Sequence, residues 1–274
     1  MSKIKKTIIF LMVSIIGVIF LLNISVHNNY IFAYQMNKAI ENNDYQKAER
    51  LIKSSNADID SVPYTNFIIL AVTERSVYSP LETAIIHGNI EILRLLIQHG
   101  ANVNRQKDPN FGRDFQSPLT LAALSTSANR LEMIKLLVEY GADINFEVYG
   151  SNAMAKSVMR EANDNIEIIE FFESLGVPLE RKYSDGSLLH IACYEGNSAV
   201  IRYLVKRGLD VNEKNSYGSS ALISLMYSRE TRIEDLIFLI ENGADKSIVN
   251  NEGLTAYDIA IEYEELDFAE ILKP

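Results

Sequence analysis

Residues 79–104 combine two short helical patterns of apolar positions with polar residues where helices begin and end. Ser79 can cap the first helix, and Glu82, three residues later, completes a capping box. Gly88 ends that helix, apolar residues then recur at helical spacing, and Gly100 supplies the left-handed residue that closes the second helix. Two short helices with exposed apolar faces cannot bury those faces alone. The pattern therefore predicts that this pair packs against further copies of itself.

Copies of the pattern recur along the chain. A glycine followed by a short exit segment ends a copy at Gly100, Gly141, Gly176, Gly208 and Gly243, with spacings of 41, 35, 32 and 35 residues. The units implied by these exits lie near residues 34–60, 79–104, 117–145, 152–180, 187–212, 220–247 and 254–273. We therefore predict an all-α chain of about seven helix-turn-helix units, in which the first and last act as caps.

The openings of the units carry a second signature. Corresponding tetrapeptides are Ser79-Pro80-Leu81-Glu82, Ser117-Pro118-Leu119-Thr120 and Ser187-Leu188-Leu189-His190. With these openings and a period near 33 residues, the chain resembles the ankyrin repeat family, whose units open with Thr-Pro-Leu-His. The resemblance covers residues 34–273 and implies a solenoid whose turn fingers and first helices form a concave surface for protein partners. It also implies that His190 hydrogen-bonds backbone between neighbouring units.

A basic and then apolar segment, residues 1–33, precedes the repeats. Three lysines lie within the first six residues, and an apolar run follows from 8 to 22. As a helix this run would reach about 22 Å, short of a hydrocarbon core of roughly 30 Å, and counting on to residue 26 gives a marginal span. The segment is either a cleaved signal peptide or a single transmembrane anchor. Both alternatives place the repeats across the cytoplasmic membrane, because the lysines stay on the cytoplasmic side.

Two links between units are longer than the others, residues 61–78 and 105–116. The first contains an apolar run and reads as two strand-like pieces around a polar turn, or as an extra helix. It either binds a partner or only shields the end of the array. The second contains aromatic and arginine residues, which are enriched in interfaces. With the positions expected to be exposed on fingers and first helices, the candidate partner-binding residues are Tyr64, Phe67, Tyr78, Glu82, Phe111, Arg113, Phe115, Thr120, Tyr149, Tyr183 and Tyr217.

The charge balance narrows the class of partner. The formal net charge is −10, and residues 34–274 carry 36 acidic against 23 basic side chains. A nucleic-acid-binding chain needs a basic face, so nucleic acid is not expected as a partner. An acidic array is compatible with a basic protein partner, although an acidic surface is more often simply a well-solvated one.

The sequence contains no constellation typical of catalysis. Its four histidines do not form a zinc-binding helix motif, and neither a nucleophile elbow nor a phosphate-binding loop is present. The single cysteine, Cys193, can form no disulfide within the chain and fits a small buried hydrophobe. We therefore expect a protein that is not an enzyme and that holds neither metal nor cofactor.

The function expected from these features is protein binding on the outer side of the cytoplasmic membrane, or in the periplasm if the signal is cleaved. Exported ankyrin proteins of this layout resemble bacterial ones, and some of those are immunity proteins that neutralise a toxin. This resemblance implies an immunity-type role for a chain that is monomeric when free. A structural scaffold or accessory factor for an envelope enzyme needs the same surface and stays open as the alternative.

Overall fold

The computed structural model describes residues 26–61, 78–105, 116–159, 162, 164–228 and 230–274. It divides into two compact units, Met1–Pro118 with Glu139–Gly141 (unit 1) and Leu119–Val138 with Ala142–Pro274 (unit 2). None of the helices in the described ranges is long and apolar enough to cross a bilayer. The apolar run at 8–22 lies outside the described residues, as do five of the candidate residues, Tyr64, Phe67, Phe111, Arg113 and Phe115.

Unit 1 contains two helical pairs. Helical residues 26–41 (α1) and Tyr45–Ser54 (α2) form the first pair, and Pro80–Ile86 (α3) and Ile90–Gln98 (α4) form the second. Helix α4 packs against both α3 and α2. The second helices of consecutive pairs therefore lie side by side, as a repeat that buries its apolar face on its neighbour requires.

Unit 2 also consists of paired first and second helices. Its first two helices each have one terminal residue, Pro118 or Glu139, in unit 1. The remaining helices are Pro118–Ala123 (α5), Arg130–Glu139 (α6), Ala153–Val158 (α7), Asn165–Ser174 (α8), Leu188–Tyr194 (α9), Ser198–Lys206 (α10), Ala221–Met226 (α11), Ile233–Glu241 (α12), Ala256–Glu262 (α13) and Leu266–Leu272 (α14). From α7 onward, first helices contact the first helices of the next pair, and second helices contact second helices. The predicted all-α class of about seven helical pairs is confirmed.

The opening motifs begin their helices by the predicted mechanism. The N–H of Ser79 donates to Glu82 Oε2 at 2.7 Å, and the N–H of Glu82 donates to Ser79 Oγ at 3.3 Å, which is a complete capping box. Thr255 and Asp258 form the same arrangement at the start of α13. The hydroxyl and N–H of Thr255 hold the pKa of Asp258 below its usual value.

The turns between helices need residues in the left-handed region. Gly88, at the end of α3, has φ +65°, and Gly100, at the end of α4, has φ +93°, as predicted. In the first and last pairs the place of Gly88 is taken by Asn43 at φ +53° and Glu264 at φ +61°. Asn tolerates this conformation, whereas Glu has no local interaction that favours it. The last helical pair therefore contains backbone strain that its neighbours avoid.

The core of unit 2 lies between its first and second helices. Cys193, in α9, is fully buried, and burial raises the pKa of its thiol. A thiol that is buried and protonated behaves as a small apolar side chain, which agrees with the sequence interpretation of this residue.

Candidate functional site

Tight turns between the repeats of unit 2, which we call fingers, form one edge of the candidate site. Val148 and Ser151 exchange backbone hydrogen bonds of 2.9 and 3.2 Å around the two-residue turn Tyr149–Gly150. Tyr149 has φ +52° and Gly150 has φ +70°, so both turn residues are left-handed, as in the type I′ turn of tight hairpins. This conformation is easy for Gly150 and unusual for a bulky aromatic residue.

Neighbouring fingers are joined by hydrogen bonds at their tips. Ser184 donates its N–H to Gly150 O at 3.1 Å and its hydroxyl to Tyr149 O at 3.0 Å. Ser216 Oγ in turn donates to Ser184 O at 3.0 Å, and the N–H of Asn251 donates to Tyr217 O at 2.9 Å. The tips at 149–150, 184–185, 216–217 and 251–252, which we call the finger row, therefore follow one another along one edge of unit 2.

Asparagine side chains fix the shape of the last two fingers. Asn215 Oδ1 accepts the N–H groups of Tyr217 and Ser219 at 2.9 and 3.0 Å. Asn250 Oδ1 does the same for Glu252 and Leu254 at 2.9 and 3.0 Å. Such side-chain bonds to the following backbone define an Asx turn and limit the motion of the tip. The exposed residues of these tips are consequently presented in a fixed geometry.

Two of the predicted partner-binding residues lie at exposed tips. Tyr149 is 73 % exposed and Tyr217 is 63 % exposed. Tyr78 is half-buried, and its carbonyl accepts a hydrogen bond from Asn37 Nδ2 at 3.1 Å. Exposed aromatic side chains on rigid turns lose little conformational entropy on binding. Tyr149 and Tyr217 are the candidates whose placement suits a protein contact best.

The expectation of exposure is wrong for three candidates. Glu82 is 3 % exposed because its carboxylate turns back to accept the N–H of Ser79. Thr120 stands at the same third helical position of its own opening and is also buried. Tyr183 pairs its backbone with Gly186, one residue before the finger tip, and its side chain is buried, which raises its pKa to about 12.

A row of tyrosines lies at the ends of the first helices, and the sequence pattern did not predict it as a surface. Tyr194 ends α9, and Tyr227 and Tyr263 directly follow α11 and α13. Tyr194 is 57 % exposed, Tyr263 is 54 % exposed and Tyr227 is half-buried. The helices that position them pack consecutively, so we call these three residues the tyrosine row. The sequence signal was their shared place next to the turn between the helices of a pair.

Charged groups around the fingers are mostly engaged with one another. Arg181 donates to Glu147 Oε1 at 2.8 Å, and Lys182 pairs with Glu213. Burial lowers the pKa of Lys156, while the carboxylate of Asp185 at the second finger tip partly offsets that effect. These contacts link the bases of consecutive fingers and stabilise the presented surface.

Polar side chains also connect repeats inside unit 2. His190 Nδ1 accepts the N–H of Ser187 at 3.2 Å, and its Nε2–H donates to Glu213 O at 2.9 Å. Because one ring nitrogen accepts while the other donates, the imidazole must be neutral. Burial lowers the pKa of His190 to about 4. The backbone contact of His190 with the following repeat is the one that the family resemblance implied.

A buried arginine follows residues 124–129, a turn between two helices that contains no glycine. Arg130, at the start of α6, is 1 % exposed and donates to Asp164 through Nε at 3.1 Å and Nη2 at 2.6 Å. It also donates to the carbonyl of Ala123 at 3.4 Å and to Asn165 Oδ1. A guanidinium buried this deeply needs such a full set of acceptors.

Within the described ranges, no group of three or more His, Cys, Asp or Glu residues is placed to hold a metal ion. The perturbed pKa values of His190 and Cys193 arise from the burial of these side chains in the core. The exposed tyrosines are the described side chains best suited to contact with a macromolecule.

Comparison with known proteins identifies the repeats of this chain. A family model described as "Ankyrin repeats" matches three times, at residues 36–148, 158–250 and 189–274. Protein phosphatase 1 regulatory subunit 12A of Mus musculus and of Rattus norvegicus are each 34 % identical over 79 residues, which is 29 % of this chain. The chain spans only 8 % of the length of these two relatives.

Among solved structures, the human ASB11 ankyrin repeat domain superposes with a TM-score of 0.66. The match covers 87 % of this chain and 97 % of that chain, at 19 % sequence identity. At this identity the likeness concerns the fold alone. Together with the repeated family match, it confirms the resemblance found in the opening and exit motifs.

Proposed function

This chain belongs to the ankyrin repeat family, and we propose that it binds a protein partner through the finger row and the tyrosine row. The family supplies a protein-interaction module as the general function. We choose this surface because Tyr149 and Tyr217 are exposed on finger tips that backbone and Asx hydrogen bonds hold in place. Tyrosine is among the residues that most often dominate the free energy of binding at interfaces.

The strain at Tyr149 supports this choice of surface. An aromatic residue at φ +52° costs stability that Asn or Gly in the same turn would avoid. Strained, exposed residues on rigid elements are typical of sites where a contact outweighs a loss of stability.

We also propose where the repeats are located. Residues 1–33 act as a cleaved signal or a single membrane anchor, so that the repeats face the periplasm or the cell exterior, as in exported bacterial ankyrin proteins. The support is the basic start followed by the apolar run at 8–22. A fusion of periplasmic alkaline phosphatase after Pro274 tests the location. Enzyme activity of the fusion is expected, and an inactive but intact fusion would contradict it.

In this location the chain, which we expect to be monomeric when free, would bind a basic protein. Binding would neutralise that protein, which is an immunity-type role. The second candidate is a scaffold or accessory factor for an envelope enzyme. One observation favours this candidate, because two proteins to which part of this chain is similar are regulatory subunits of a phosphatase. Deletion of the gene separates the two roles: death of cells exposed to a toxin indicates immunity, and loss of an enzyme activity indicates the scaffold.

Site-specific photo-crosslinking tests the binding surface. A photoreactive phenylalanine analogue replaces Tyr149 or Tyr217 in the full chain, and Ile237, an exposed residue on the second helix α12, serves as the matched control. We expect crosslinks to one protein from both tyrosine positions and none from position 237. Crosslinks confined to position 237 would place the interface on the opposite helical layer and contradict the proposal.

A further inference from the structure

Two members of the tyrosine row form an aromatic pair at the C-terminal end of unit 2. The rings of Tyr227 and Tyr263 lie 6.2 Å apart between centroids at an interplanar angle of 70°, an edge-to-face arrangement. Asn250 Nδ2 donates to the hydroxyl of Tyr227 at 3.2 Å and fixes that ring. Tyr263 remains 54 % exposed, so a ring face of the pair is available to a partner.

Carboxylates surround this pair without being neutralised. Glu252 lies at a finger tip and Glu262 at the end of α13, and both side chains are exposed. Both carboxylates act on the Tyr227 hydroxyl, whose pKa is raised first by burial and then by these charges. Neither carboxylate has an ion-pair partner among the residues that the structure describes. Residues 247–272 carry seven carboxylates and no basic side chain.

We propose that the Tyr227–Tyr263 pair, flanked by Glu252 and Glu262, is a docking point for an arginine or lysine side chain of the protein partner. This inference rests on the proposed function and names the chemistry that the partner must present there. Charge complementarity selects the occupant, because an acidic partner would be repelled and an apolar one would leave two carboxylates beside it without compensation.

The geometry suits a cation in two ways. A guanidinium or ammonium group within about 6 Å of a tyrosine ring centroid is attracted by the electron-rich ring face. The same group can donate hydrogen bonds to the neighbouring carboxylates, and the planar guanidinium can do both at once. An arginine-containing segment is therefore the better fit, with lysine the weaker alternative.

Fluorescence anisotropy with a defined probe tests the inference. The full-length chain, in non-ionic detergent, is titrated into a fluorescein-labelled octapeptide of alternating arginine and glycine. A matched peptide has citrulline in place of arginine, which keeps the shape and removes the charge. We expect the citrulline peptide to bind at least tenfold more weakly, and equal binding of the two peptides would overturn the inference.

Protein variants distinguish the site from general electrostatic attraction. The pair Glu252→Gln and Glu262→Gln should raise the Kd of the arginine peptide at least tenfold. The matched pair Glu170→Gln and Glu241→Gln removes the same charge from exposed positions of second helices and should change the Kd less than twofold. Equal losses in the two pairs would show that only net charge matters and would overturn the inference.

Substitution of the rings provides an independent measurement. Tyr263→Leu should weaken the arginine peptide about fivefold, whereas Tyr263→Phe keeps the ring face and should restore binding to within twofold. Identical effects of Leu and Phe would contradict a role for the ring. Crosslinking at Tyr217 keeps the two proposals separate: if it persists while the arginine peptide fails to bind, only the cation site is refuted.

Discussion

Protonation of His190 should destabilise unit 2 in a pH range where most side chains do not titrate. The ring is buried and neutral, with Nδ1 accepting from Ser187 and Nε2–H donating to Glu213 O. A proton on Nδ1 would leave the N–H of Ser187 without its acceptor and would bury a positive charge. His190→Gln is the informative substitution, because Gln at this position can still complete the capping box but does not titrate.

The size of this loss of stability follows from the pKa of His190, which burial lowers from 6.5 to about 4. Because the folded-state pKa is the lower one, the contribution of the neutral ring is fully present above about pH 6.5 and is lost as the pH falls towards 4. Linkage between these two values gives a loss of about 2 kcal/mol in the free energy of unfolding between pH 7 and pH 5. Few carboxylates change charge in that interval.

Urea unfolding followed by circular dichroism at pH 7, 6 and 5 measures this loss. The difference in unfolding free energy between the wild-type chain and His190→Gln isolates the histidine, because all other groups are shared. We expect the wild type to lose about 2 kcal/mol more than the variant between pH 7 and pH 5. Parallel pH dependences of the two proteins would refute the assignment of a buried neutral ring at His190.

Three further substitutions test other parts of the account by urea unfolding. Glu264→Gly should stabilise the chain by about 1 kcal/mol, because it relieves the left-handed residue at φ +61°; a loss of stability would contradict the strain. Tyr149→Asn should also stabilise by about 1 kcal/mol while it weakens partner binding, and unchanged binding would remove Tyr149 from the interface. Arg130→Ala should cost about 3 kcal/mol, because it leaves Asp164 without its cation, whereas exposed Arg207→Ala should cost far less; equal costs would contradict the buried pair.

The sequence predicted the features of the fold that depend on local backbone chemistry. Ser79 and Glu82 form a capping box, and Gly100 has a positive φ, because caps and left-handed turns are set by the residues at those positions. The repetition of these signals then required neighbouring pairs to pack on one another, which determined the fold class.

The candidate site was predictable only in part, because exposure depends on contacts between repeats. Tyr149 and Tyr183 occupy similar places in the sequence of their units, but Tyr183 stands one residue earlier relative to its turn and is buried. Tyr227 and Tyr263 come together only because α11 packs on α13, a contact between residues 36 positions apart. Periodicity assigns a residue to a unit but does not show which way its side chain turns.

Hydrogen–deuterium exchange tests directly whether the partner binds through the finger row and the tyrosine row. The full chain is measured with and without the protein captured by crosslinking at Tyr217. We predict that the bound partner slows exchange at the finger tips 149–150 and 216–217 and at the ends of α9 and α11, and leaves the second helices α10 and α12 unchanged. Slower exchange confined to α10 and α12, with unchanged fingers, would contradict the claim that this chain holds its partner through the finger row and the tyrosine row.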